Sequence, residues 1–94
     1  MNRAERIRAA IVAALQPHAL EIEDESHLHA GHAGAREGGE THYKVTVVSP
    51  AFAGQSRVTR QRTVYSLLKV EFEGGLHALS LRALTPEEAA AGCF

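Results

Sequence analysis

Two runs of alternating side chains, separated by a helical stripe, constrain the fold of this chain most. In "HYKVTVV" (His42–Val48), Tyr43, Val45 and Val47 alternate with Lys44 and Thr46. In "LHALSLRAL" (Leu76–Leu84), Leu79 and Leu81 alternate with Ser80 and Arg82. A period of two marks a strand with one dry face and one wet face. Between the runs, from about Val58 to Glu73, Val64, Leu68 and Phe72 recur at every fourth position beside Tyr65, the spacing of a helix with one apolar face. A strand–helix–strand crossover favours parallel, right-handed pairing. These residues therefore predict a parallel strand pair with a helix packed against it.

The remaining elements attach to that unit. "ALEIEDES" places Leu20 and Ile22 on one face and Glu21 and Glu23 on the other, which predicts a strand antiparallel to His42–Val48. A first helix is expected from about Arg3 to Gln16, with Ile7, Ile11 and Leu15 as its stripe and Pro17 opposing continuation. The early arginines and the apolar run Ala9–Leu15 faintly outline a signal peptide, but Pro17-His18 stands where a small-residue cleavage site would be. Ser49-Pro50 ends the second strand, "AFAGQS" is a turn, and Gly74-Gly75 stops the central helix. "TPEEAAAG" carries a helix start, with Thr85 as N-cap, Pro86 in the first turn, Glu88 three residues after the cap, and Gly92 at the end. The order is α-β-β-α-β-α, an α/β chain of the α+β kind. It predicts a three-stranded mixed sheet with helices packed on one face.

Length and composition bound the rest. A 94-residue chain makes one domain (1–94, core about 3–91), burying roughly two thirds of its unfolded surface. With 45% apolar residues, 22% charged residues and a net charge of −1, a nucleic-acid role would need a local basic patch. No apolar run approaches a membrane span. Cys93 is alone, so the chain cannot form an intramolecular disulfide, a four-cysteine zinc site or an iron–sulfur cluster on its own thiolates. A reducing, cytoplasmic setting is the default.

Three constellations could carry chemistry. Between the first two strands, "SHLHAGHAGAREGGETHYKV" holds His27, His29, His32 and His42 among four glycines. A connection of about fifteen residues is long for a hairpin. It is either a polar loop or a ligand site, because neutral imidazoles bind zinc, copper and iron, and glycines let rings converge. "HLHAGH" is not a standard zinc spacing, and the "GHAG" string lies between strands without the basic residues of a KH clamp. His77 opens the third strand and by period two shares the face of Leu79 and Leu81. It is either a partly buried histidine bonded to backbone or one half of a two-imidazole site with a loop histidine. Arg57, Arg60 and Arg62 crowd the start of the central helix, with Lys69 further along. They form either a solvated cluster or a site for an anion or nucleic acid. No nucleophile constellation is present.

Taken together, "EIEDES", a histidine loop, "THYKVTVVSPAF-G", "R-R-VY", "LHALSL" and "TPEE" resemble the BolA family from about Ile7 to Glu88. The resemblance implies a fold similar to class II KH domains and a non-enzymatic role as partner of a monothiol glutaredoxin. It also implies a 2Fe-2S cluster shared with that glutaredoxin and glutathione in a heterodimer, acting in iron or redox regulation or cluster trafficking. The strand ligand then falls on His77, and the loop ligand falls on His29, three residues past the serine of "DES", with His32 as its rival. No cofactor is expected in the isolated protein, which would be a monomer or weak homodimer. Some relatives are linked to DNA and transcription, which would draw on Arg57, Arg60, Arg62 and Lys69. A third expectation is a stand-alone zinc or copper site on His27, His29 and His32.

Overall fold

The computed structural model describes residues 2–24 and 42–92. His27, His29, His32 and Cys93 lie outside the described residues. Helix α1 spans Arg3–Leu15, with Ile7, Ile11 and Leu15 buried as their spacing predicts. Its N-terminus is capped by Asn2, whose Oδ1 accepts the Glu5 N–H at 2.9 Å and satisfies one of the amides a first turn leaves unpaired. The helix stops one residue short of the expectation. The residue before a proline is disfavoured in the right-handed helical region, which ends the helix, and Gln16 caps it in a left-handed conformation (φ 44°).

Strands β1 (Ala19–Asp24), β2 (His42–Val48) and β3 (Ala78–Leu84) form one sheet in the order β1-β2-β3. β1 runs antiparallel to β2, and β3 runs parallel to it, as the crossover requires. One face carries Tyr43, Val45 and Val47 with the half-buried Leu20, Ile22, Leu79 and Leu81. Ile7, Ile11 and Leu15 of α1 and Val64 and Leu68 of the crossover pack into the same core. The other face carries Glu21, Glu23, Lys44, Thr46, Ser80 and Arg82, of which the two glutamates, Ser80 and Arg82 are exposed.

The crossover differs from expectation in one respect: two helices replace one. α2 covers Arg57–Leu67 and α3 covers Lys69–Glu73, with Leu68 between them at ψ 11°. Val64 and Leu68 are buried as predicted, but in the next turn the buried residue is Glu71, and Phe72 is only half-buried. Glu71 turns inward because two cations reach it. Arg3 Nε donates to its Oε1 at 3.1 Å, and Arg6 Nε donates to its Oε2 at 3.0 Å. This ties the start of α1 to α3, and Arg3 Nη2 also donates to the Gly74 carbonyl. The Arg6 hydrogen bond, more than any other contact, holds the Glu71 carboxyl below its ordinary range, against the opposing effect of burial.

The stretch expected as a plain turn also holds core. Pro50–Phe52 forms a single 3₁₀ turn that sinks Phe52 to full burial. Buried Ser49 secures it, donating from Oγ to the Leu15 carbonyl at 2.7 Å while accepting the Ala51 N–H. The last helix, α4 (Pro86–Ala90), has the expected capping box: Thr85 Oγ1 accepts the Glu88 N–H, and Glu88 Oε1 accepts the Thr85 N–H.

Side chains cap two carbonyls on the outer edge of β3. The Leu84 carbonyl accepts the Ser49 N–H, so it points toward β2. Leu79 and Ala83, of opposite parity, point their carbonyls away from it. Tyr65 Oη donates to the Leu79 carbonyl at 3.1 Å, and Arg60 Nη1 donates to the Ala83 carbonyl at 3.0 Å. Helix α2 thus occupies hydrogen-bonding positions that an added strand would need.

Candidate metal centre

Two imidazoles meet at one end of the sheet. In the parallel pair, His42 of β2 stands opposite Ala78 of β3, and His77 immediately precedes Ala78. The His42 and His77 rings lie 5.7 Å apart between centroids and within 10° of parallel. His77 does not share the face of Leu79 and Leu81, contrary to the period-two expectation. Pairing begins only at Ala78, and the buried residue at the strand entrance is Leu76, whose N–H donates to the Glu71 carbonyl. With Leu76 turned inward, His77 and Ala78 are both exposed and alternation resumes at Leu79.

His42 is a candidate that the sequence does not single out. It was grouped with the loop histidines, although it heads β2. The signal was available: parallel strands begin at the same end of a sheet, so a histidine opening β2 must neighbour one preceding β3. The chain leaves β1 at Asp24, opposite Tyr43, and re-enters the sheet at His42, so both of these described residues stand at the same end. Positions 29 and 32 themselves lie outside the described residues.

Two imidazoles presented side by side make a donor set of the kind that suits zinc, copper or iron. Two are too few to complete a tetrahedral centre. Among the described residues no group of three or more histidine, cysteine or acidic side chains converges. The described part of the centre therefore suits a metal whose other ligands come from elsewhere.

The basic cluster is divided. Arg60 is not an available cation: its side chain is only 8% exposed, and Nη1 donates to Glu88 Oε1 at 2.6 Å. Arg60 Nε also donates to the Gln55 carbonyl at 3.0 Å, and its guanidinium lies 5.9 Å from the Phe52 ring centroid. Both expectations for the arginine cluster, a solvated surface or an anion site, leave Arg60 exposed, because its partner Glu88 is remote in the chain. Glu88, held by Arg60 first and the Thr85 amide second, has its pKa lowered to about 2. Arg57, Arg62 and Lys69 are exposed on the helices.

Comparison with known proteins follows this geometry. The family model described as BolA-like protein matches residues 11–88. The chain is 48% identical over 91 residues to "SufE-like protein 1, chloroplastic/mitochondrial" of Arabidopsis thaliana, a match spanning 93% of this chain and 24% of that protein. It is 44% identical over 73 residues to "DNA-binding transcriptional regulator BolA" of Haemophilus influenzae, covering 78% and 67% of the two chains. The solved structure of BolA1 from Arabidopsis thaliana superposes with a TM-score of 0.84 at 48% identity, covering 94% of this chain and 96% of that one. No described helix is long and apolar enough to cross a membrane.

Proposed function

The chain belongs to the BolA family, and from that premise we propose that it is a non-enzymatic partner of a monothiol glutaredoxin. In this reading it supplies imidazole ligands to a shared 2Fe-2S cluster and acts in iron or redox regulation or in cluster trafficking. The observation that carries the reading is the stacked, paired presentation of His42 and His77 at one sheet end. The donor set fits the role. A chain whose one cysteine is Cys93 cannot hold such a cluster on its own thiolates, whereas it can complete one whose sulfur ligands a partner brings. When bound, such a cluster supplies a one-electron centre, whose potential imidazole ligation raises above that of an all-thiolate equivalent.

His77 is the strand ligand in this proposal. The second imidazole is His29, with His32 as its rival in the loop, or His42, which lies directly against His77. Co-expression with a monothiol glutaredoxin tests the proposal. The expected product is a coloured heterodimer containing glutathione, and its visible spectrum shifts in His77→Ala. A wild-type complex without colour rejects the shared cluster, and a His77→Ala spectrum identical to wild type rejects that ligand. The same comparison across His29→Ala, His32→Ala and His42→Ala identifies the second imidazole.

A nucleic-acid role is the second reading, favoured by the name of the Haemophilus relative. On this chain it rests on Arg57, Arg62 and Lys69, since Arg60 is committed to Glu88. DNA binding that steepens with falling salt and drops in an Arg57→Ala/Arg62→Ala variant supports it; binding insensitive to both rejects it.

A further inference from the structure

We propose that the open face of the sheet, along β2 and β3, is the docking surface for the protein that shares the imidazole centre, and that this partner meets it with an acidic strip. The inference rests on the reading of the centre as shared. Alternation assigns sides. Tyr43, Val45 and Val47 point into the helix-covered core, so His42, Lys44 and Thr46 project from the opposite face. Among the described residues, His42 and the ring stacked on it thus lie on the side of the sheet opposite the core that α1 and α2 build.

That surface is segregated by charge. In register, Glu23, Lys44 and Ser80 form one cross-strand row, and Glu21, Thr46 and Arg82 form the next. Both acids therefore stand on β1, and both cations stand on β2 and β3. Adjacent strands are about 4.8 Å apart, so the cationic strip runs beside the imidazoles and the acidic column lies on its far side. Ser80 and Arg82 are exposed and Lys44 is half-buried, and no ion pair among the described residues consumes Lys44 or Arg82. A protein reaching the imidazoles from the solvent side passes over this strip. Carboxylates facing Lys44 and Arg82 complement it, whereas carboxylates over β1 would be repelled. The helix layer, with exposed Arg57 and Arg62, faces away from the centre.

The test measures affinity of the full chain for apo monothiol glutaredoxin by titration calorimetry, with a parallel measurement of cluster colour after co-expression. Lys44→Glu/Arg82→Glu is expected to weaken binding about tenfold or more and to flatten its salt dependence, while Arg57→Glu/Arg62→Glu stays within about twofold of wild type. Arg57, Arg62 and Arg82 are exposed and Lys44 is half-buried, and far-UV circular dichroism confirms that each variant is folded. Equal effects of the two pairs, no effect of the sheet-face pair, or a sheet-face effect confined to duplex DNA binding each overturn the proposal. Absence of wild-type binding and of colour instead removes the shared-centre reading itself, so the two failures are distinguishable.

Discussion

Replacing Arg60 by alanine is expected to destabilise the fold by about 4–5 kcal/mol, even though this residue has the chemistry of a surface ligand. Its guanidinium donates to the carbonyls of Gln55 and Ala83, each at 3.0 Å, from a side chain that is almost wholly buried. Charged donors of this kind contribute about 1–1.5 kcal/mol each when the acceptors regain some water. Two stem methylenes removed from beside Phe52 add about 0.8 kcal/mol apiece. The Glu88 partner is 38% exposed, so the ion pair itself is screened by solvent and adds little beyond these contributions. Urea unfolding followed by far-UV circular dichroism measures the total. Arg60→Lys, keeping one point donor in place of a fork, should lose about half as much. Glu88→Gln should lose far less than Arg60→Ala, since the amide oxygen can still accept the Thr85 N–H. An Arg60→Ala cost below about 1 kcal/mol refutes the account. Equal losses in Arg60→Ala and Glu88→Gln show instead that the ion pair, not the carbonyl contacts, stabilises the fold.

Acidification probes the same contacts. The folded-state pKa values of Glu71 and Glu88 lie below the ordinary 4.5, Glu88 at about 2, so the stability they add is full above pH 4.5 and lost as pH falls toward 2. Unfolding midpoints measured across that window should fall, less steeply in Arg60→Ala, and an unchanged slope in that variant contradicts the assignment. Glu71→Ala should cost about 2–4 kcal/mol by leaving Arg3 and Arg6 without the carboxylate they share, measured by thermal unfolding. Phe52→Ala should cost about 3–5 kcal/mol, with a loss under about 1 kcal/mol showing that the 3₁₀ turn is peripheral. Thr85→Ala should cost about 0.5–2 kcal/mol and Thr85→Ser much less, by denaturant titration, because the capping hydroxyl is what matters.

Local periodicity was sufficient wherever a residue's environment was set by its own element. Ile7, Ile11 and Leu15, the Tyr43–Val45–Val47 stripe, the parallel crossover and the Thr85 box all follow from spacing alone. The differences arise where a distant residue decides. Glu71 is buried because Arg3 and Arg6 come from the far end of the chain, and that turns Phe72 partly outward. Arg60 leaves the surface because Glu88 lies in α4, and Phe52 is drawn inside by a turn that Ser49 pins to α1. For His77 the period-two expectation gives the wrong side, because period two holds only within the paired strand and pairing starts one residue later. His42 could have been found from topology, but its imidazole carried no more signal than the three before it.

The side chains that cap two carbonyls on the outer edge of β3 have a consequence for how the chain behaves at high concentration. A strand edge with bare carbonyls recruits other strands and so nucleates aggregates. Here Tyr65 and Arg60 occupy the Leu79 and Ala83 carbonyls. Colloidal behaviour is thus coupled to helix α2. A change such as Tyr65→Phe, which barely alters the core volume, frees one acceptor of the ladder, and the species it favours is not an unfolded chain but a native one able to template others.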